Sequence, residues 1–223
     1  MDNTKINLSK LGRCSGYFYK ALQNLKGDRI NRVLDLGCGD GRTFHLLEGF
    51  KDARGVGLDM DLKSLKKAKE NYLAVLGTGE KLPFSDKTFD LIVEFHVLHH
   101  IPDYSNAISQ VSRCLRDGGY FLMVEAVNDN PIFHFIRDKH PITEHMPIES
   151  NFRFGELVRT LERNGFSVID RKRFGLFFEF TLGGIPGMPF FIRKLTSVMD
   201  EKLEKMFGTK HCASCVILVR KNG

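Results

Sequence analysis

Arg32-Val33-Leu34-Asp35-Leu36-Gly37-Cys38-Gly39-Asp40-Gly41-Arg42-Thr43-Phe44 is the stretch that decides the fold. Val33 to Leu36 is a short apolar run of the kind a buried parallel strand makes. Glycines follow at 37, 39 and 41, and a helical pattern opens at Thr43. Strand, glycine-rich turn and helix form the front half of a nucleotide-binding βαβ unit. The glycines let the backbone bend tightly and let a ligand come close. The helix start leaves backbone N–H groups to meet it.

Downstream, the same alternation repeats. Gly55 to Leu58 reads as a second strand closed by Asp59, and Asp61 opens a helix through Leu65, Ala68 and Tyr72. Val75-Leu76 is a third strand, followed by the turn Gly77 to Glu80. Phe89 to Val93 is a fourth, with Glu94 to His100 leaving its carboxyl end. A helix over Ala107–Leu115 stops at Asp117-Gly118-Gly119, and Tyr120 to Val124 is a fifth strand with Glu125 at its tip. Five strands alternating with helices predict a parallel sheet with right-handed crossovers. Ligands bind beyond the carboxyl ends of such strands. Asp35 to Gly41, Asp59, Thr78 to Glu80, Glu94 to His100 and Glu125 all fall there. Asp59 stands twenty residues after Gly39, the distance at which such folds put an acid on ribose hydroxyls. Its other reading is a helix cap. Asp35 either organises the ligand site or holds loop amides.

Upstream, Ser9 caps a predicted helix running to about Leu25, with Leu11, Cys14, Phe18, Ala21, Leu22 and Leu25 on one face. It reads equally as a lid on the pocket and as a helix packed on the sheet. Beyond Glu125 the pattern breaks. His134, His140 and His145 lie between Pro131 and Pro147, but their spacing fits no ligand motif, and no metal is expected. Phe154 to Asn164 reads as a helix, Phe166 to Ile169 as a sixth strand, and Cys212 to Arg220 as a last one. Phe174 to Ile192 is apolar but broken by glycines and prolines, which argues for a pocket cap or a membrane-contacting patch over a span. Pro189 then starts a helix with Phe191, Leu195, Val198, Met199, Leu203 and Met206 on one side, decorated by Arg193, Lys194, Lys202 and Lys205.

Charge is unevenly spread. The net charge is +6, and residues 153–221 hold 13 Lys+Arg against 7 Asp+Glu, so the whole excess lies in the last third. A basic, Phe-rich segment suits an anionic or membrane surface, or else a solvated face over an aromatic core. The cofactor half is neutral and carries no nucleic-acid-reading module, so nucleic acid is not the expected partner. Five scattered cysteines make no disulfide framework, and the polar start Met1 to Lys5 is no signal peptide. The expected placement is cytoplasmic, at most peripheral to a membrane.

Val33-Leu34-Asp35-Leu36-Gly37-Cys38-Gly39-Asp40-Gly41, Gly57-Leu58-Asp59-Met60, Gly79-Glu80-Lys81-Leu82-Pro83-Phe84 with Phe89 to Val93, and Leu98-His99-His100-Ile101-Pro102-Asp103 come in order. Together they resemble class I S-adenosylmethionine-dependent methyltransferases, in the subgroup that includes quinone-biosynthesis (type 11) enzymes. The likeness covers about residues 30–125. One departure is Thr78, where the family has Asp before its Ala-Glu.

The resemblance implies a Rossmann-like, doubly wound α/β fold: a mostly parallel seven-stranded sheet with a C-terminal helical, apolar cap. One domain over 1–223 is expected, with a lid helix in 1–31, a cofactor half over 32–125 and a substrate half over 126–223 containing the apolar insertion 174–207. S-adenosylmethionine, leaving as S-adenosylhomocysteine, is the implied cofactor, held by Asp35, Gly37, Cys38, Gly39, Asp59, Met60, Thr78, Gly79, Glu80, Glu94 and Phe95. Leu82, Phe84 and Phe95 would sandwich the adenine. His96, His99 and Glu125 are the candidate catalytic groups, with His100 beside them. The glycines agree: a pyrophosphate loop is spaced GxGxxG, whereas this loop reads GxGxG and is flanked by Asp35 and Asp40, which suits cationic groups. The implied reaction is direct displacement onto a small apolar or lipid-linked acceptor. A nicotinamide oxidoreductase and a non-catalytic scaffold at a membrane, both on the same fold, are the alternatives.

Overall fold

A computed structural model describes residues 12–50, 52–69, 73–130, 152–176 and 189–223. Ser9, Leu11, Tyr72, the three histidines at 134, 140 and 145, and most of the 174–192 segment fall outside them.

Seven strands form one sheet: β1 (Arg32–Leu36), β2 (Arg54–Asp59), β3 (Leu73–Leu76), β4 (Phe89–Phe95), β5 (Leu115–Ala126), β6 (Phe166–Phe174) and β7 (Ser214–Lys221). Their order is β3-β2-β1-β4-β5-β7-β6. The first five pair in parallel, and β7 runs antiparallel to both β5 and β6. The chain winds outward from β1 to β3 and restarts beside β1 with β4. The point of reversal therefore lies between β1 and β4, where such sheets open a crevice. β7 can wedge between β5 and β6 because Ser214 to Val219 is buried throughout.

Among the described residues, five α-helices flank the sheet: α1 (Arg13–Gln23), α2 (Leu62–Ala68), α3 (Tyr104–Cys114), α4 (Phe154–Arg163) and α5 (Phe190–Phe207). Asp61 caps α2 by accepting from Lys63 N and Ser64 N, and Asp103 caps α3 by accepting from Asn106 N. One core, around Leu34, Ile92, Phe121, Leu157 and Ile217, packs beneath α3 and α4. The other, around Phe18, Leu22, Leu91, Leu122 and Leu218, packs beneath α1. α1 contacts β5 and β7.

Several boundaries differ from the sequence reading. The segment after the glycine loop, Arg42–Phe50, is a 3-10 helix rather than an α-helix. β4 continues through Glu94 and Phe95, which therefore point to opposite sides of the sheet instead of leaving it. β5 starts at Leu115, so the glycines at 118 and 119 sit inside the strand beside a register shift opposite Phe89 and Leu91.

Candidate functional site

A cavity of about 580 Å³ opens at the carboxyl ends of β1, β2 and β4. That volume is in the range of small-molecule sites. β1 contributes Leu36 and Gly37; β2 contributes Leu58, Asp59 and Met60. The turn after β3 adds Gly77 to Glu80, and the segment after β4 adds His96, Val97, His100, Ile101 and Pro102.

Asp59 clasps the glycine loop. Its Oδ2 accepts from Gly39 N at 2.7 Å and its Oδ1 from Asp61 N at 2.8 Å. Since Asp61 is the cap of α2, the capping reading of Asp59 is replaced by a bridge between the β1 and β2 loops. Each carboxylate oxygen keeps a second lone-pair direction for a ligand hydroxyl. Gly37 N and Cys38 N both donate to Leu58 O, which fixes the turn against β2.

The glycines make room for the opposite wall. Gly37 has φ +68°, and a Cβ on it would stand 2.4 Å from Val97 Cγ2. A Cβ on Gly79 would stand 2.6 Å from Ile101 Cδ1. Gly37→Ala should therefore cost about 2–4 kcal/mol of stability, from left-handed strain plus overpacking. Urea unfolding of the variant checks it; a loss below the ordinary surface scatter would show that the turn relaxes freely.

Behind the cavity floor lies a buried acid–histidine cluster. Glu125 Oε1 accepts from Val97 N at 2.9 Å and Leu98 N at 2.6 Å, while Oε2 meets His99 Nδ1 at 2.6 Å and accepts from Ala126 N at 3.2 Å. Glu94 Oε2 shares the Val97 N–H at 2.9 Å. Both carboxyls are fully buried. Burial, the negative charge of Glu125 and a hydrogen bond to it push Glu94 well above the carboxylate range, so Glu94 holds a proton. Burial raises Glu125 too, but the hydrogen bond and charge of His99, with help from His96, outweigh it and leave Glu125 below its ordinary value. An ionised Glu125 makes His99 Nδ1 the donor in this contact. Donor atoms of His96, His99 and Glu125 lie within 4.8 Å of one another, the spacing of a cation site. The carboxylate there is already engaged by three backbone N–H groups and an imidazole.

His96 lines the cavity in a strained backbone conformation, φ +62°. Burial pushes its pKa down to about 4, against a weaker upward pull from Glu125. The sign follows directly. The unfolded chain takes up a proton near pH 6.5, whereas folded His96 resists until about pH 4. Its contribution to stability is complete above pH 6.5 and is lost as pH falls toward 4. His96→Asn, which tolerates positive φ, should flatten thermal midpoints across that window; an unchanged pH profile would contradict it.

Of the sequence-nominated residues, Gly37, Asp59, Met60, Thr78, Gly79, Glu80 and His96 line the cavity. Asp35, Glu94, His99 and Glu125 are buried behind it, and Gly39 acts through its N–H on Asp59. Cys38 is buried in the second core, and burial with the nearby Asp35 and Asp59 raises its thiol to about 12, which leaves it inert.

Three residues are corrected. Phe95 packs in the second core against Phe18, ring centroids 5.6 Å apart. Phe84 stacks edge-on to Phe89 at 5.0 Å, and Leu82 is buried in the first core. Arg113 holds that segment away from the cavity by donating to Phe84 O and Leu82 O. None of the three lines the adenine-sized space. Leu36, Leu58, Met60, Ile101 and Pro102 form its apolar walls instead. Met60 was nominated; for the other four the signal was available, since each is adjacent to, or one turn from, a polar residue already singled out.

Residues 34–123 match a family model described as a methyltransferase domain. The chain is 30% identical over 152 residues to phthiotriol/phenolphthiotriol dimycocerosates methyltransferase 1 of Mycobacterium ulcerans, covering 63% of this chain and 55% of that one. It is 32% identical over 149 residues to a fatty-acid O-methyltransferase of Mycolicibacterium smegmatis, covering 63% and 54%. The chain thus spans about half the length of these relatives. Among solved structures, YcgJ of Bacillus subtilis superposes with a TM-score of 0.64 at 20% identity, covering 93% of this chain and 99% of that one, a likeness of fold.

Proposed function

We propose that this protein, whose residues 34–123 match a methyltransferase-domain family model, is a class I, S-adenosylmethionine-dependent methyltransferase that transfers a methyl group to a small apolar or lipid-linked acceptor by direct displacement. The observation that carries the reading is the Asp59 clasp: one carboxylate bridges two strand-end loops at the mouth of a cavity of about 580 Å³.

The residues present fit the cofactor. Asp59 offers its remaining lone pairs to ribose hydroxyls, Thr78 and Glu80 face the adenine end, and the Leu58, Met60 and Ile101 walls receive the ring. Gly37 and Gly79 have no Cβ to fill the cradle. When bound, S-adenosylmethionine supplies a methyl carbon already activated by its sulfonium. The chain then has to align the acceptor and keep water out. Neutral His96 faces the cavity as a hydrogen-bonding group, since a base of pKa about 4 takes few protons at pH 7. His99, held by Glu125 behind the cavity floor, positions the wall rather than touching the acceptor. Glu94, neutral and buried, supports Glu125 and adds no charge of its own.

A lipid-linked acceptor is supported by the printed names of the relatives, a fatty-acid O-methyltransferase among them, and by the apolar composition of 174–192. Calorimetric titration with S-adenosylmethionine and with NAD separates this reading from an oxidoreductase: the first should bind and the second should not. Release of S-adenosylhomocysteine in the presence of fatty acids or polyprenyl phenols then tests the acceptor. Binding of NAD alone would overturn the proposal, and cofactor binding without turnover on any lipid would overturn its acceptor half.

A further inference from the structure

α5 is turned inside out. Its buried face is polar: Thr196, Asp200 and Glu204, spaced i, i+4, i+8, are 3%, 0% and 7% exposed. Glu204 accepts from Arg13 Nη2 at 2.6 Å and from Gly175 N at 2.8 Å, pinning the helix to α1 and the end of β6. The opposite face carries Phe191, Leu195, Val198, Met199 and Met206 at i, i+4, i+7, i+8 and i+15, all exposed, Phe191 and Met206 by about 70%. A helix at the surface of a globule normally shows the reverse arrangement. An apolar stripe on the solvent side marks an interaction surface.

Charge identifies the partner. Lys202, at i+11, sits in the middle of the stripe, and Lys194 and Lys205 border it. Glu201, the acid nearest that border, lies 3.9 Å from Arg13. The last third of the chain carries the entire positive excess. A lysine in the centre of a protein–protein contact is left desolvated unless a partner acid meets it. At a lipid surface its long stem lies along the acyl chains while the ammonium reaches the headgroups. A stripe of this kind with a basic rim suits anionic headgroups.

We propose that α5 is a docking surface for anionic membranes, lying flat with Phe191, Leu195, Val198, Met199 and Met206 in the acyl boundary and Lys194, Lys202 and Lys205 among the headgroups. No helix among the described residues is long and apolar enough to cross a membrane, so the contact is peripheral. It holds whatever the methyl acceptor is, and it does not need the cofactor cavity.

The test is co-sedimentation of the full chain with phosphatidylglycerol–phosphatidylcholine vesicles and with pure phosphatidylcholine vesicles. Binding should favour the anionic vesicles and weaken as salt is raised. Leu195→Glu with Met199→Glu should lower partitioning by tenfold or more, and Lys202→Gln with Lys205→Gln by about fivefold per charge. All four positions are solvent-exposed, so both variants should keep the parental melting temperature and cofactor affinity. If the acidic pair fails to fold, the lysine pair decides alone. Absence of anionic binding, equal binding to neutral vesicles, or binding untouched by the variants would overturn the proposal. So would a dimer in sedimentation that the acidic pair dissociates, since a second copy would then own the stripe. Loss of cofactor binding in the parent protein would strike the methyltransferase reading and leave this one standing.

Discussion

Asp59→Ala should weaken binding of S-adenosylmethionine by about a hundredfold or more, because two charge-assisted hydrogen bonds to a ribose, at roughly 1.5–3 kcal/mol each, disappear together. The clasp makes the loss larger than ligand contacts alone. Asp59 also holds Gly39 N and Asp61 N, so its removal frees the glycine loop as well as the sugar. Asp59→Asn separates these parts. A carboxamide keeps one oxygen acceptor and turns the other into a donor, which opposes either Gly39 N–H or Asp61 N–H. About tenfold weakening is expected for Asn, with a small drop in thermal midpoint. Titration calorimetry on both variants reads the effect, and a melting curve in the absence of ligand reports the loop. Parental affinity in the Ala variant would remove the ribose assignment and the cofactor reading with it.

Glu125→Ala should destabilise the fold by about 3–5 kcal/mol, the scale seen when one member of a buried charged network is removed. The N–H groups of Leu98 and Ala126 lose this acceptor, Val97 N keeps only Glu94 Oε2, and His99 Nδ1 loses its partner. Glu94→Gln should act in the opposite direction at neutral pH. Folded Glu94 holds its proton well above the ordinary range, while the unfolded residue loses it near pH 4.3. Its contribution is therefore complete below that value and declines as pH rises toward the folded pKa. Glutamine stays neutral and removes the decline. Glu125 has the other sign: held below its ordinary value, it stabilises above the unfolded pKa and loses that contribution as the solution is acidified. Denaturant titrations of the parent and both variants from pH 4 to 8 would read the pair. Equal pH slopes in parent and Glu94→Gln would show that Glu94 is ionised in the folded protein.

Much of the site was legible because its signals are local. Three glycines after an apolar run need only the chain's own backbone to make a turn. The interval from Gly39 to Asp59 is one crossover long, so it reports the placement of the acid at the tip of the neighbouring strand. The Asp61 opening of α2 is likewise written within a few residues. Phe95 was misplaced for a different reason. β4 is buried on both faces, Ile92 and Glu94 on one and Leu91 and Val93 on the other, so burial does not say which face meets the ligand. Carrying the strand two residues further also sends Glu94 and Phe95 to opposite faces, and neither lines the cavity, since neighbours in a strand face opposite ways. Phe84 O accepts from Arg113, 29 residues along the chain, and no spacing within the loop could announce that contact.

The amino-acid sequence by itself determined the alternation of strands and helices, the glycine turn, the acid at the end of the second strand and the basic, apolar character of the last third. Each depends on hydrogen bonding and side-chain pattern within a short reach of chain. Only the tertiary structure decided which protons the buried acids keep, because Glu94 and Glu125 come from different strands and take their charges from each other and from His99. It also decided the direction in which α5 faces. A helical stripe gives two faces, and the pairing of Arg13 with Glu204 across 191 residues turns the polar one inward and leaves the apolar one to the outside.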